Sequence, residues 1–122
     1  MSVLADFKRY RERMNERILS SSNLGVKRFF ALDSQAYKKG VLDVKTKELL
    51  GLVASVVLRC NECVTYHVIR CVQEDVSEKE FLEALNVALV GGGSITIPHL
   101  RRAVDMFDQC RDKQEQGKPI DL

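Results

Sequence analysis

Between Leu4 and Leu19 the apolar residues Phe7, Tyr10, Met14 and Ile18 return every three or four positions, with charged residues filling the gaps. That spacing predicts an amphipathic helix. The polar run Ser20 to Asn23 is able to cap a second helix, in which Phe29, Leu32 and Ala36 mark an apolar face and Gly40 a stop. A stronger pattern follows Asp43: Leu49, Leu52, Val53, Val56 and Val57 recur at helical spacing. Leu50 and Leu58 make this stretch apolar nearly all round, as expected of a central helix enclosed by other helices or by a second subunit. Its β-branched residues would also suit a strand, but Val44 to Leu58 is longer than an ordinary one. Another helix is expected from Cys60 to Gln73. Ser77 and Glu80 then form a Ser-x-x-Glu capping box ahead of the stripe Phe81, Leu82, Leu85, Ala88 and Leu89. Gly91 to Gly93 marks a break or close-packing point, and Pro98 suits the first turn of a last helix carrying Leu100, Ala103, Val104, Phe107 and Cys110. The pattern predicts an all-α fold, a compact domain of about six helices. It spans residues 1–112, with 113–122, which hold Gly117 and Pro119, as a flexible tail.

Composition narrows the function classes. A chain of 122 residues suits one domain with one core. Lys plus Arg number 19 against 17 Asp plus Glu, and only Lys8, Arg9, Arg11 and Arg13 cluster. Neither a dense basic patch nor aromatic-basic alternation is present, so nucleic acid is not an expected partner. No basic-then-apolar leader opens the sequence and no apolar run is long enough for a comfortable membrane span, so a cytoplasmic, non-membrane protein is expected. The triple glycine lacks the Gly-Lys-Ser/Thr continuation and preceding strand of a phosphate loop. His99 reads as a surface or hydrogen-bonded boundary histidine.

The chemistry concentrates in Cys60-Asn61-Glu62-Cys63-Val64-Thr65-Tyr66-His67. A helix starting near Cys60 puts the two cysteines one turn apart and places Cys63 and His67 on one face. A helix N-terminus and a nearby histidine both favour a thiolate, and a dithiol at this spacing can close to a disulfide and be reopened. Cys60, Cys63, His67 and Cys71 are suitable zinc-ligand types. On one continuous helix, however, Cys60 and Cys71 stand roughly 16 Å apart at ~1.5 Å per residue, whereas a zinc ion needs all its ligands within ~2.3 Å. No metal or cofactor is expected. Packing as small core residues is the competing reading of the pair. Cys110, aligned with Val104 and Phe107, reads as core.

The stretch from Lys47-Glu48-Leu49-Leu50 through Cys60 and Cys63 to His67 resembles the central motif of the carboxymuconolactone decarboxylase superfamily, in its alkylhydroperoxidase AhpD-like branch. The resemblance reaches from about Phe29 to Phe107. It implies an all-helical subunit in an obligate homo-trimer or homo-hexamer. It also implies a thiol-dependent oxidoreductase acting on a peroxide or disulfide substrate with a separate thiol reductant. By this resemblance Cys63 is the peroxide-reactive thiolate, Cys60 the resolving thiol, His67 the proton relay and Glu48 its support. On a straight helix Glu48 would lie roughly 18 Å from Cys60, so only a helix crossing or a subunit contact would bring it to His67. One residue departs from the branch, which has a histidine next to its second cysteine where this chain has Glu62. The alternative reading is a non-catalytic oligomeric or small-molecule-binding member of the superfamily.

Overall fold

Local capping chemistry sets where the helices begin. In the computed structural model, which describes residues 2–122, Ser2 accepts the Ala5 amide at 3.1 Å and opens α1 (Val3–Leu19). Asn23 accepts from Val26 at 3.0 Å to open α2 (Leu24–Ala36), and Asp43 from Thr46 at 2.8 Å to open α3 (Val44–Val57). The sulfur of Cys60 caps α4 (Asn61–Gln73). Both halves of the Ser77–Glu80 capping box are made at the start of α5 (Glu78–Gly92). A single 3₁₀ turn, Ser94–Thr96, leads into α6 (Ile97–Glu115), which has Pro98 in its first turn. No strand occurs among the described residues, so the all-α, six-helix expectation stands. The break expected at the triple glycine falls at its end: α5 continues through Gly92, and Gly93 terminates it at φ 83°, where glycine carries no Cβ penalty.

Two of the turns are built by residues that do not advertise them. Arg59 and Asp75 both adopt φ 60°, the left-handed region, at the ends of α3 and α4. Around Arg59 the Cys60 amide reaches back to Ser55 O at 3.0 Å, and around Asp75 the Val76 amide reaches back to Cys71 O at 3.0 Å. These reversed bonds satisfy the last carbonyls of each helix. The Arg59 turn folds α4 back along α3 as an αα-hairpin, the Asp75 turn leads on to α5, and α5 packs on α3 and α6 on α4.

The centre of the core is α4 rather than α3. Val64, Val68, Ile69, Cys71 and Val72 have no more than 1% of their surface exposed. They meet Leu52 and Val56 of α3 and Ala103, Met106 and Cys110 of α6 in one cluster, where Phe81 stacks on Phe107 with ring centroids 4.3 Å apart. Leu50 and Leu58, which made α3 look enclosed, are not covered by the other helices of the subunit, staying 55% and 76% exposed. The apolar face expected on α2 also stays outside the core: α2 buries no residue, and Phe29 and Leu32 are mostly exposed. Along α1 only Leu4 and Phe7 are buried, so the outer part of its stripe faces open space. The segment 113–122, expected as a tail, begins inside α6. Beyond that helix Ile120 packs on the core and its carbonyl accepts from Gln73 Nε2 at 2.8 Å, while Asp121 pairs with Lys8 at 2.7 Å. Among the described residues no helix is long and apolar enough to cross a membrane.

Candidate active site

Glu48 and His67 lie at similar distances on either side of the Arg59 turn, so folding the hairpin brings them face to face. Glu48, 1% exposed on α3, receives His67 Nδ1–H of α4 on Oε1 at 2.8 Å. The crossing that the straight-helix distance demanded is thus supplied within one chain. Its second oxygen, Oε2, accepts from Arg70 Nε at 3.3 Å, so the buried carboxylate has two partners. A bond from Nδ1–H to a carboxylate leaves Nε2 as the nitrogen able to accept a proton.

Three further residues define the setting of that ring, and none was singled out from the sequence. The Tyr37 hydroxyl stands 3.4 Å from His67 Nε2, and the two rings lie 5.1 Å apart. Tyr66 meets the imidazole edge-on at 5.0 Å. Gly51 leaves room for it: a Cβ there would lie 2.5 Å from His67 Cε1 and 2.7 Å from the Tyr37 hydroxyl. A glycine inside an apolar helix was the available signal, since it costs helix stability unless close packing requires it. Burial, aided by the charge of Glu48, raises the Tyr37 phenol above its ordinary value, and burial raises Tyr66 as well. Both hydroxyls therefore keep their protons at neutral pH.

Cys60 and Cys63 are joined as a disulfide, with their Cα atoms 5.2 Å apart. Cys60 is partly buried and Cys63 exposed. The Cys60 sulfur accepts the Cys63 amide at 3.3 Å, so it sits at the positive end of the α4 dipole. Cys63 and His67 share the wall of a cleft of about 490 Å³, and the opposite wall is α1, through Phe7, Tyr10, Arg11, Met14 and Ile18. The open part of the α1 stripe thus faces the dithiol. The Arg11 guanidinium lies over the Tyr66 ring, 4.6 Å from its centroid. His99 of α6 lies against the same turn, with Nδ1 2.7 Å from Asn61 Oδ1.

The other two cysteines stand apart from this chemistry. Burial first, and then the charge of Glu48, pushes the Cys71 thiol up to about 12, and burial pushes Cys110 up to about 11. Both are fully buried. Among the described residues no group of three or more His, Cys, Asp or Glu converges as a metal cage.

Fold and site together define a class: an all-α domain with a disulfide-forming cysteine pair at the start of one hairpin arm and an acid–histidine pair across the two. Residues 24–106 match the carboxymuconolactone decarboxylase family, and the chain belongs to that family. A solved family protein from Thermotoga maritima, suggested to be involved in an antioxidative response, is 55% identical and superposes with a TM-score of 0.92 over 96% of this chain and 99% of that one. The apo form of a family protein from Legionella pneumophila is 27% identical, with a TM-score of 0.65 over 88% of this chain and 89% of its own. Protein 4 of the cox locus of Paracoccus denitrificans is 27% identical over 81 residues, 66% of this chain and 73% of that protein. The matched span begins at residue 24, so α1, one wall of the cleft, lies outside it.

Proposed function

We propose that the chain is a thiol-dependent oxidoreductase of the AhpD-like branch, reducing a hydroperoxide or exchanging disulfides through Cys60 and Cys63. The observation that carries this reading is the Cys60–Cys63 disulfide opening onto a cleft shared with His67, whose other face is held by buried Glu48. The suggested antioxidative involvement of the Thermotoga maritima relative agrees with it.

In the reduced protein the Cys63 thiol gives its proton to His67, and Glu48 stabilises the resulting imidazolium. The Cys63 thiolate attacks the terminal oxygen of the peroxide, the O–O bond breaks, and the departing alkoxide takes the proton held by the His67 imidazolium to leave as an alcohol, returning His67 to its neutral form. Cys63 is then a sulfenic acid. Cys60 attacks its sulfur, the S–S bond forms, and hydroxide leaves with the Cys60 proton as water. An external dithiol reductant attacks exposed Cys63 and expels Cys60 as a thiolate. The Cys63 amide and the α4 dipole favour that leaving group. Glu62, exposed beside Cys63, opposes the thiolate and so slows the first step relative to a neutral neighbour. A reducing compartment such as the cytosol suits this cycle. A homo-trimer or homo-hexamer accounts for the exposed Phe29, Leu32, Leu58, Val87 and Val90, because a second copy would cover them.

Stopped-flow peroxide consumption with a supplied dithiol tests the reading. Cys63→Ser is expected to lose turnover, Cys60→Ser to stall as the sulfenic acid, and His67→Ala to slow attack at neutral pH on the order of 100-fold. Equal consumption by wild type and Cys63→Ser overturns it.

A further inference from the structure

We propose that Tyr37 is the positioning residue for His67, its hydroxyl serving as the partner that Nε2 keeps in both protonation states, with Gly51 as the gap in α3 that lets the two rings meet. The inference deepens the proposed function and rests on it only for the origin of the proton.

The geometry leaves His67 few choices. Nδ1 is committed to Glu48 at 2.8 Å, so a proton gained by the ring goes to Nε2, where the Tyr37 hydroxyl stands at 3.4 Å. A phenol donates or accepts. Facing neutral imidazole, Tyr37 O–H donates to Nε2. For the Cys63 proton to reach Nε2, the Tyr37 O–H···Nε2 bond first breaks; the Cys63 S–H bond then breaks as Nε2–H forms, and the Tyr37 hydroxyl, turned round, accepts from Nε2–H. The second bond is charge-assisted, and such bonds are roughly twice as strong as neutral ones. Tyr37 therefore favours the imidazolium overall, and with it the Cys63 thiolate. Its own proton stays on, because burial and the charge of Glu48 both disfavour the phenolate.

Other groups around the ring act on its charge, and Tyr37 adds to them. Glu48 on α3 favours the imidazolium, while Arg70 on α4 and Arg11 on α1 oppose it. Asp33 on α2 and Glu62 on α4 favour it from the cleft. Tyr37 differs in being neutral, so its effect survives at high salt, where exposed charges are screened. Gly51 is the condition for the contact, since any side chain there would displace the imidazole, the phenol or both.

The chain has only two histidines, so imidazole titration by proton NMR resolves His67 from His99, with a His99→Gln variant to assign them. In Tyr37→Phe, which keeps the ring and removes the hydroxyl, the His67 midpoint is expected to fall by about half a pH unit. In the reduced protein the Cys63 alkylation rate near neutral pH is expected to fall about threefold in step. Gly51→Ala is expected to lower the His67 midpoint too, and adding Tyr37→Phe to it to change little more. A folded Tyr37→Phe whose His67 midpoint is unchanged or higher overturns the proposal, as does a Gly51→Ala protein with an unaltered midpoint. The titration needs no turnover. A wild type that consumes no peroxide and exchanges no disulfide sinks the proposed function and leaves this measurement to be judged on its own.

Discussion

Water separates the four cysteines into two kinds. Cys63 meets solvent at the mouth of the cleft, whereas Cys71 and Cys110 are enclosed and hold their protons well above the ordinary thiol range. At pH 8 a thiol titrating at about 12 is ionised to only about one part in ten thousand. Iodoacetamide added to the reduced native protein is expected to label Cys60 and Cys63 and to reach Cys71 and Cys110 only in urea; peptide mass mapping reads the result. Labelling of Cys71 at the rate of Cys63 would contradict the burial described. At this scale the sequence carried the dithiol, His67 and, through a family resemblance, Glu48. It did not carry Tyr37, because a tyrosine at the end of one helix shows nothing of the histidine thirty positions away that it will meet.

Helix starts were legible where a side chain binds its own backbone, as Asn23 and the Ser77–Glu80 box do, since such bonds need nothing beyond the local chain. Helix ends were harder. Arg59 and Asp75 take the left-handed conformation without being glycine, at about 1 kcal/mol or more each, and only the surrounding packing makes that tolerable. An apolar stripe also does not name what covers it. The stripe of α1 borders the cleft, and that of α2 has no cover within the subunit. In the proposed oligomer a second copy covers α2. The double substitution Phe29→Asp with Leu32→Asp is therefore expected to dissociate the assembly in sedimentation velocity at micromolar concentration. The urea stability of the separated subunit should change by less than about 0.5 kcal/mol per site. A wild type that already sediments as a monomer would refute the oligomer instead.

For the molecule as a whole, buried and half-buried acids set an alkaline limit. Cys71, Cys110, Tyr37 and Tyr66 all have folded-state values raised above their ordinary ones. Between the ordinary thiol value of 9.0 and the folded values of about 11 and 12, the folded chain binds more protons than the unfolded one. Stability therefore falls as pH rises through that window, and the contribution is fully present below it. Urea midpoints measured at pH 8, 9.5 and 11 are expected to decline, and the decline should be shallower in Cys71→Ala/Cys110→Ala. A flat profile would mean that water reaches these groups. The single core that encloses Cys71 and Cys110 was legible from length and periodicity, but the choice of α4 as its centre was not. α3 carries the more continuous apolar run, and only the way the helices are stacked leaves Leu50 and Leu58 outside.

The clasp between Lys8 and Asp121 has a topological meaning. It ties the second turn of α1 to the segment beyond α6, and α3 to α6, which hold most of the core, are contiguous in sequence, with Leu4 and Phe7 of α1 completing it. A short bridge across the clasp would turn the molecule into a ring, which could be opened anywhere on its rim. The solvent-facing bend at Val41 is the natural place. A chain opened there would be synthesised with the α3–α4 hairpin first and α1 and α2 last, yet would ask each residue to find the same neighbours. The order of the helices along the chain is thus separable from their mutual fit.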